Sequence, residues 1–257
     1  MGDPSVGFVG GGRVARIMLG GWTRARRMPA RVVVSDADAG VLARLTAEFP
    51  SVTPGDNVQA AGQDIVFLAL HPPACAAAFE GIKGRLAAGA TLVSLAPKWT
   101  MAGIATALGG FDRIARVIPN APSVVNAGYN PVSFSTSLMA SDRDGIRALF
   151  DPLGQFPEVG EETLETYAIV AAMGPTYLWY QLYLLIDLGC EFGLTREAAA
   201  DAVAAMIRGS VETMQAAGMT PEGVMDLIPV KPLAAMEPAV KEAYINTLGG
   251  LHKKLKP

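Results

Sequence analysis

Short apolar runs alternate with alanine-rich amphipathic stretches through the first part of the chain. The apolar runs lie at Val6–Val9, Val32–Val34, Ile65–Leu70, Leu92–Leu95 and Ile114–Ile118. Uninterrupted runs of this kind are typical of strands that a parallel sheet buries on both faces. The stretches between them favour helices, over Val14–Trp22, Ala39–Phe49, Pro73–Leu86 and Met101–Leu108. This alternation predicts an α/β fold built on a doubly wound parallel sheet.

The alternation stops around Gln155–Gly160. Just before that point, Tyr129–Ser135 predicts one further strand and Asp142–Leu153 a helix. Beyond it the sequence predicts helices only, over Glu161–Ala172, Thr176–Phe192, Arg196–Ala217, Pro221–Leu227 and Pro238–Leu255. Thr195 is predicted to cap the third of these. We therefore expect two domains, an α/β domain at residues 1–160 and a helical domain at residues 161–257.

The composition predicts that part of the surface is covered. Hydrophobic residues make up 51% of the chain and charged residues only 18%. A second copy of the chain is the simplest cover, so we expect a homodimer or a higher homo-oligomer. The net charge of -3 gives no support for nucleic-acid binding, which usually needs a basic surface.

One stretch raises the question of a membrane. Tyr167–Ile186 contains no charged residue and is long enough to span a bilayer. Gly174-Pro175 interrupts it and Gln181 lies inside it, so a helix buried in a dimer is the better interpretation. No signal-peptide pattern is evident, and two cysteines far apart in sequence suit a reducing compartment. We therefore expect a cytoplasmic protein without membrane contact.

A glycine-rich turn follows the first predicted strand directly. Gly10, Gly12 and Ala15 form a Gly-x-Gly-x-x-Ala pattern that leads into a predicted helix. In that context the first glycine allows a tight turn and the second lets the backbone approach a pyrophosphate. The phosphates would lie on free backbone N–H groups at the helix N-terminus, where the helix dipole favours negative charge. The sequence therefore predicts a dinucleotide-binding Rossmann domain and NAD(P)H as the cofactor.

The end of the second predicted strand bears on the choice of nicotinamide cofactor. Asp36 stands about 25 residues beyond the glycine turn, where an acidic residue usually accepts hydrogen bonds from a ribose 2′-hydroxyl. This favours NADH over NADPH. Ser35 could still serve a 2′-phosphate if Asp36 turns away. Asp36 could also be a turn residue or the cap of the next helix.

Several separated motifs resemble those of the pyrroline-5-carboxylate reductase family. They occur in order along nearly the whole chain: Gly10–Ala15, Asp56-Asn57, Leu68–Pro72, Arg116–Pro122 and Gly174–Tyr177. The resemblance implies an N-terminal Rossmann domain and a C-terminal helical domain that interlocks with its twin in a dimer. It also implies hydride transfer from a reduced nicotinamide to a C=N bond.

The resemblance also implies roles for individual residues. It places the pyrophosphate against Gly10, Gly12, Arg13 and Val14. Asn57 would reach the adenosine, although it could equally be a helix N-cap. The cofactor would be lined at the end of a strand by Ala69, Leu70, His71 and Pro72. His71 could also be a plain turn residue. Pro119 and Asn120 would lie near the nicotinamide, with Asn120 among the catalytic candidates, and Met173 and Gly174 would contact the substrate.

The chain departs from the family where the substrate is held. The family's Ser-Pro-Gly-Gly-x-Thr block corresponds here to Asp226–Leu233, without the glycines or the threonine, and Met173 replaces a serine. A pocket that loses small polar donors should prefer another substrate. Lys98 and Lys231 are lysines that the family pattern does not require. Each could hold an anion or donate a proton, or be a solvated surface lysine.

Three functions are therefore considered. The first is an NAD(P)H-dependent oxidoreductase that transfers hydride to the C=N or C=O bond of a small, anionic substrate. The second is pyrroline-5-carboxylate reduction itself, as in proline biosynthesis. The third is a noncatalytic NAD(P)-binding dimer that acts as a scaffold or sensor. The sequence offers no P-loop, no hydrolase Gly-x-Ser-x-Gly turn and no metal-ligand spacing around its two histidines, so no metal is expected.

Overall fold

The computed structural model describes residues 4–256, which divide into two compact units. One unit comprises the described residues up to Met173 together with the stretch that begins at Leu251. The other comprises Gly174–Gly250. The predicted domain boundary after residue 160 lies N-terminal to this division and stays a prediction.

A seven-stranded sheet forms the centre of the first unit. Its strands are β1 (Val6–Val9), β2 (Val32–Ser35), β3 (Val52–Gly55), β4 (Ile65–Leu68), β5 (Thr91–Ser94), β6 (Ile114–Val117) and β8 (Val132–Phe134). The order is β3-β2-β1-β4-β5-β6-β8, and all neighbours are parallel except the pair β6 and β8. This order reverses direction between β1 and β4, which is the switch point where such sheets bind ligands. A small parallel pair joins β7 (Gly128–Tyr129) to β9 (Gly154–Gln155).

Helices connect these strands. They are α1 (Arg13–Ala25), α2 (Ala39–Glu48), α3 (Asn57–Ala61), α4 (Pro72–Ile82), α5 (Met101–Ala107) and α6 (Ala140–Phe150), and the short helix α7 (Leu164–Tyr167) follows the last strand. Local sequence explains several of their starts. Asp38 accepts the backbone N–H groups of Gly40 and Val41 at the start of α2, and Asp56 forms a capping box with Gln59 at the start of α3. The predicted α/β class is confirmed.

The first unit contains a buried hydrophobic core on each face of its sheet. On one side of the sheet, Phe8 stacks on Phe67 with ring centroids 4.8 Å apart, and Trp22 and Phe150 pack around them. The Trp22 indole donates a hydrogen bond of 2.7 Å to the Leu149 carbonyl oxygen. A second buried cluster covers the other side. The strands therefore have apolar partners on both faces, as their sequence predicts.

One local prediction needs correction, and two short elements were missed. Tyr129–Ser135 is not one strand, because Asn130-Pro131 separates β7 from β8. The short strand β3 was not predicted, and the helix α3 was indicated only by the N-cap alternative for Asn57. β3 contains Pro54 and exposes two of its four residues, so neither an apolar run nor a strict alternation marks it. Such a strand suits the edge of the sheet, where it lies.

Helices account for most of the second unit. They are α8 (Gly174–Glu191), α9 (Arg196–Ala216), α10 (Pro221–Asp226) and the greater part of α11 (Glu237–Leu255). Thr195 caps α9 as predicted, with its hydroxyl accepting the Ala198 N–H. Within Gly174–Gly250, all of which is described, Ala199 is the one fully buried apolar side chain. This unit therefore leaves most of its apolar surface uncovered.

The helical stretch Glu161–Glu191 is long and apolar enough to cross a membrane by length and composition alone. Only 6% of its most apolar 18-residue segment is buried inside the structure. One such helix is weak evidence for a membrane span. Its burial in a dimer stays a prediction.

Candidate functional site

The glycine turn lies between β1 and α1 and has the backbone that the sequence predicts. Gly10 adopts a φ of 107°, and a Cβ there would stand 2.5 Å from the Ala69 carbonyl oxygen. Gly10 is therefore required by the turn itself. A Cβ on Gly12 would meet nothing within 4 Å, and no side chain caps the α1 N-terminus there. The space in front of this helix end is open to an anion, which the helix dipole favours.

Asp36 is held against the glycine turn. Its Oδ2 accepts the Gly11 N–H at 2.8 Å, and its Oδ1 accepts the Asp38 N–H at 2.9 Å. Asp38, rather than Asp36, caps the next helix. The Asp36 carboxylate is half-buried and stands at the carboxyl end of β2. This is where the sequence predicts a contact with the ribose.

Ser35 and Asn57 are bonded to each other below this surface. Ser35 is only 1% exposed, and its hydroxyl lies 2.8 Å from the Asn57 Oδ1 and 3.2 Å from the Phe8 carbonyl oxygen. The hydroxyl therefore faces the interior while Asp36 is held at the glycine turn, and a contact of Ser35 with a 2′-phosphate stays a prediction. The N-cap alternative for Asn57 is wrong, because Asp56 caps α3 and Asn57 is its first residue.

A cleft of about 290 Å³ opens beside the glycine turn at the carboxyl ends of the central strands. Its walls are mostly apolar. They are formed by Arg13, Val14, Ala69, Leu70, His71, Leu95, Pro97, Ile118, Pro119, Ala168, Ala172 and Met173. The structure thus brings together Arg13, Val14, Ala69, Leu70, His71, Pro119 and Met173, seven of the predicted site residues. Arg13 and His71 are the ionisable side chains of this lining. A mostly apolar cleft with few polar groups is typical of cofactor and small-molecule sites.

Part of the cleft wall is a π-helical turn at Ala168–Ala172, of which Ala168 and Ala172 line the cleft. The Met173 N–H donates to the Ala168 carbonyl oxygen, five residues earlier, at 3.0 Å. The buried Asn120 side chain donates from its Nδ2 to the Ala171 carbonyl oxygen at 2.8 Å. Asn120 therefore supports this turn, and its predicted place near the nicotinamide stays a prediction. Single π-helical turns occur often at functional sites, but no sequence signal marks this one.

The remaining predicted residues lie outside the lining of the cleft. Pro72 is the first residue of α4, directly after His71. Lys98 is exposed, follows the cleft residue Pro97 and has a left-handed φ of 73°. Gly174 begins α8 and Lys231 is exposed in the loop after α10, both in the second unit. The catalytic roles of Lys98 and Lys231 stay predictions.

The sequence interpretation missed one charged group near the cleft. Arg116 is 1% exposed and forms ion pairs with Glu161 and Glu165, which follow it by 45 and 49 residues. No motif links positions so far apart, although Arg116 itself opens one of the family-like motifs. The two cysteines are free, and burial raises the pKa of the Cys75 thiol to about 11, so it is no nucleophile at neutral pH.

Known proteins match both the sequence and the fold. Residues 5–98 match the family model described as "NADP oxidoreductase coenzyme F420-dependent". The pyrroline-5-carboxylate reductase of Corynebacterium melassecola is 25% identical over 221 residues, which cover 84% of this chain and 82% of that protein. The enzyme of the same name from Escherichia coli is 24% identical over 229 residues, covering 88% and 85%.

Two solved structures show the same fold. The pyrroline carboxylate reductase of Plasmodium falciparum, solved with NADP bound, has a TM-score of 0.85 at 22% identity and covers 100% of this chain and 98% of its own. A pyrroline-5-carboxylate reductase from Coxiella burnetii has a TM-score of 0.76 at 24% identity and covers 99% of both chains. The predicted Rossmann-type domain with a helical C-terminal part is thereby confirmed. The predicted resemblance to the pyrroline-5-carboxylate reductase family is confirmed too, by similarity over more than four fifths of the chain.

Proposed function

We propose that this protein is an NAD(P)H-dependent reductase that transfers a hydride to the C=N bond of a small anionic substrate. The observation that carries the proposal is the mostly apolar cleft beside the glycine turn, at the switch point of the sheet. Ligands of open α/β sheets bind at this place. The related proteins named pyrroline-5-carboxylate reductase support the same type of reaction.

The residues of the turn fit a dinucleotide. Gly10 makes the backbone fold back, Gly12 leaves the helix end open, and Arg13 places a positive charge between that end and the cleft. Backbone N–H groups and a guanidinium are suited to a pyrophosphate. When bound, the reduced nicotinamide would supply the hydride. The chain's own residues orient the reactants and exclude water from the cleft.

The proton that accompanies the hydride depends on the bond that is reduced. An imine that enters protonated needs no donor from the protein. A ketone does, and His71 lines the cleft while Lys98 lies one residue beyond Pro97. We keep Lys98 and Lys231 as proposed donors or anion ligands. Replacement of each by Met tests them, since unchanged turnover in both variants would exclude both roles.

For the cofactor, we infer a preference for NADH. The Asp36 carboxylate stands beside the glycine turn with both oxygens fixed by backbone N–H groups. In this position a carboxylate accepts ribose hydroxyls and repels a 2′-phosphate. The arginines of the adjoining groove, Arg13, Arg16 and Arg44, are the observation that favours NADPH instead. One of them, Arg16, is already paired with Glu48 at 2.6 Å.

We also propose that a second copy of the chain covers the apolar surface of the helical unit. That surface includes a groove of about 510 Å³ near the start of α11, lined by Leu233, Met236, Glu237, Val240, Lys241, Tyr244 and Ile245. Exposed apolar patches of this kind mark interfaces in soluble proteins. A cytoplasmic location belongs to the same proposal, since both cysteines are free.

The first experiment is a calorimetric titration of the purified protein with NADH and with NADPH, followed by turnover on a panel of cyclic imines and ketones. The panel includes pyrroline-5-carboxylate, the substrate that the names of the related enzymes suggest. Tighter binding of NADH together with reduction of an imine carboxylate supports the proposal. Cofactor binding without turnover on any member indicates the noncatalytic scaffold or sensor. Binding of neither cofactor would exclude the oxidoreductase.

A further inference from the structure

One side of the candidate cleft is built from three chain segments that are far apart in sequence. The first is the loop after β5, which contributes Leu95 and Pro97. The second is the end of β6, which contributes Ile118 and Pro119. The third is the segment at residues 161–173, which contributes Ala168, Ala172 and Met173. Whatever fixes these segments to one another fixes the shape of the cleft.

The three segments meet at one group of charges, which we name the Arg116 cluster: the buried Arg116 and Glu165 together with the partly buried Glu161. Arg116 lies on β6, and its guanidinium donates to the Glu165 Oε1 at 2.5 Å and to the Glu161 Oε1 at 3.0 Å. The same two oxygens accept backbone N–H groups of the loop after β5. Lys98 donates to Glu165 at 3.3 Å and Met101 donates to Glu161 at 2.7 Å. Each carboxylate thus joins all three segments.

The burial of this cluster is not explained by stability. Arg116 and Glu165 are 1% and 2% exposed, so both charges lose their hydration. Replacing a buried ion pair by apolar residues of similar volume is often neutral or stabilising. The Arg116 Nε has no hydrogen-bond partner among the described residues, which adds a further cost. What the cluster provides, and apolar packing would not, is directional bonds to two backbone N–H groups.

We propose that the Arg116 cluster is a positioning device that sets the geometry of the cleft wall facing the reacting bond. The inference rests on the proposed function, because the cleft is taken to hold the nicotinamide and the substrate. Arg116, Glu161 and Glu165 are positioning residues, since none of them lines the cleft. Small displacements of reacting groups lower the rate strongly, by up to about 100-fold for a shift of about 1 Å.

The adenosine half of the cofactor would be insensitive to the cluster. Its predicted site is formed by the glycine turn and the end of β2, which are joined by Gly10 N–H to Ser35 O and by Gly11 N–H to Asp36. The Arg116 cluster makes no hydrogen bond to these elements within the described residues. Loss of the cluster should therefore lower kcat and leave the cofactor affinity almost unchanged.

The test uses the full-length protein with Glu165→Gln, which keeps the shape of the side chain and an oxygen for the Lys98 N–H. We expect kcat to fall by about 10- to 100-fold, with the Kd for NADH within about twofold of the unchanged protein. A second readout needs no substrate. The fluorescence emission of bound NADH reports the surroundings of the nicotinamide, and it should change in the variant.

Asp142→Asn is the matched control. It breaks the partly buried pair between Arg113 and Asp142, whose N–O distance is 2.8 Å, next to the opposite end of the same strand. This control should lower the melting temperature without changing kcat or the NADH emission. If Glu165→Gln does not fold, Glu161→Gln replaces it. Its side chain is 28% exposed and its loss leaves the Arg116–Glu165 pair intact, so the same pattern with a smaller fall in kcat is expected.

Two results would overturn the inference. One is a Glu165→Gln variant with unchanged kcat and unchanged NADH emission. The other is an equal loss of kcat in Glu165→Gln and Asp142→Asn, which would mean that both act only through stability. Failure of the unchanged protein to bind NADH or NADPH would instead refute the proposed function, so the two failures are distinguishable.

Discussion

The two compact units of this chain contain similar proportions of apolar residues, but the first buries many of them and the second leaves most exposed. In the first unit, Phe8, Trp22, Phe67 and Phe150 pack together beneath the sheet and are fully buried. In the second, all of whose residues are described, large side chains stay exposed along the helices, and Ala199 alone is fully buried among the apolar ones. The first unit is therefore stabilised by its own core, whereas the second has no comparable buried core. Each prediction below tests that contrast.

The largest effect is expected from a core substitution in the first unit. Phe67→Ala removes a ring that stacks on Phe8 and touches Phe150, in a place with no room for solvent. We expect a loss of about 3–5 kcal/mol in the free energy of unfolding, measured by denaturant titration at low protein concentration. Tyr180→Ala in the second unit, where the side chain is 72% exposed, is the comparison and should cost less than about 0.5 kcal/mol under those conditions. Equal losses would contradict the contrast.

The next effect tests what covers the second unit. Tyr180→Asp places a charge on the exposed apolar side of α8. If a second copy of the chain covers this side, we expect association to weaken by about 2–4 kcal/mol, as at a central interface residue. Sedimentation velocity over a range of concentrations measures it. If the original protein and the variant sediment with the same mass at every concentration, the proposed dimer contact is refuted.

The same contrast explains which features could be predicted from sequence. The buried strands of the first unit follow from uninterrupted apolar runs, and β1, β2, β4, β5 and β6 lie where those runs predict them. The edge strand β3 is only partly buried and contains Pro54, so its pattern is ambiguous. The glycine turn is local in sequence and was recognisable. The Arg116 cluster and the π-helical turn were not, because they depend on contacts between distant segments.

A smaller effect separates two glycines within the predicted cofactor site. Gly10→Ala places a Cβ 2.5 Å from the Ala69 carbonyl oxygen at a φ of 107°, so the turn itself must shift. We expect a loss of about 1–3 kcal/mol in stability together with weaker NADH binding. Gly12→Ala adds a methyl group in open space and should leave stability almost unchanged while weakening NADH binding. Thermal unfolding measures the strain in the turn, and calorimetric titration measures how far each methyl group obstructs NADH binding.

The smallest effect concerns a surface bond of the first unit and depends on pH. The hydroxyl and the N–H of Ser5, which precedes β1, donate to the Asp64 Oδ2 at 2.6 Å and 2.8 Å. These bonds hold the pKa of Asp64 below its ordinary value of 3.8, and the bond from the hydroxyl contributes most to this lowering. Because the folded pKa is lowered, the stabilisation is present above pH 3.8 and is lost as the pH falls further.

Ser5→Ala should therefore cost less than about 1 kcal/mol at neutral pH, since solvent screens so exposed a group. The difference between the two proteins should shrink as the pH falls below 3.8. Urea titrations of both proteins at several pH values measure this, with Ser137→Ala, whose hydroxyl bonds Asp112 at 2.6 Å, as a second surface pair. A difference that grew on acidification would mean that Asp64 is stabilised in its protonated form. In either case the change stays far smaller than the loss expected for Phe67→Ala, because the first unit is held by its buried rings rather than by its surface charges.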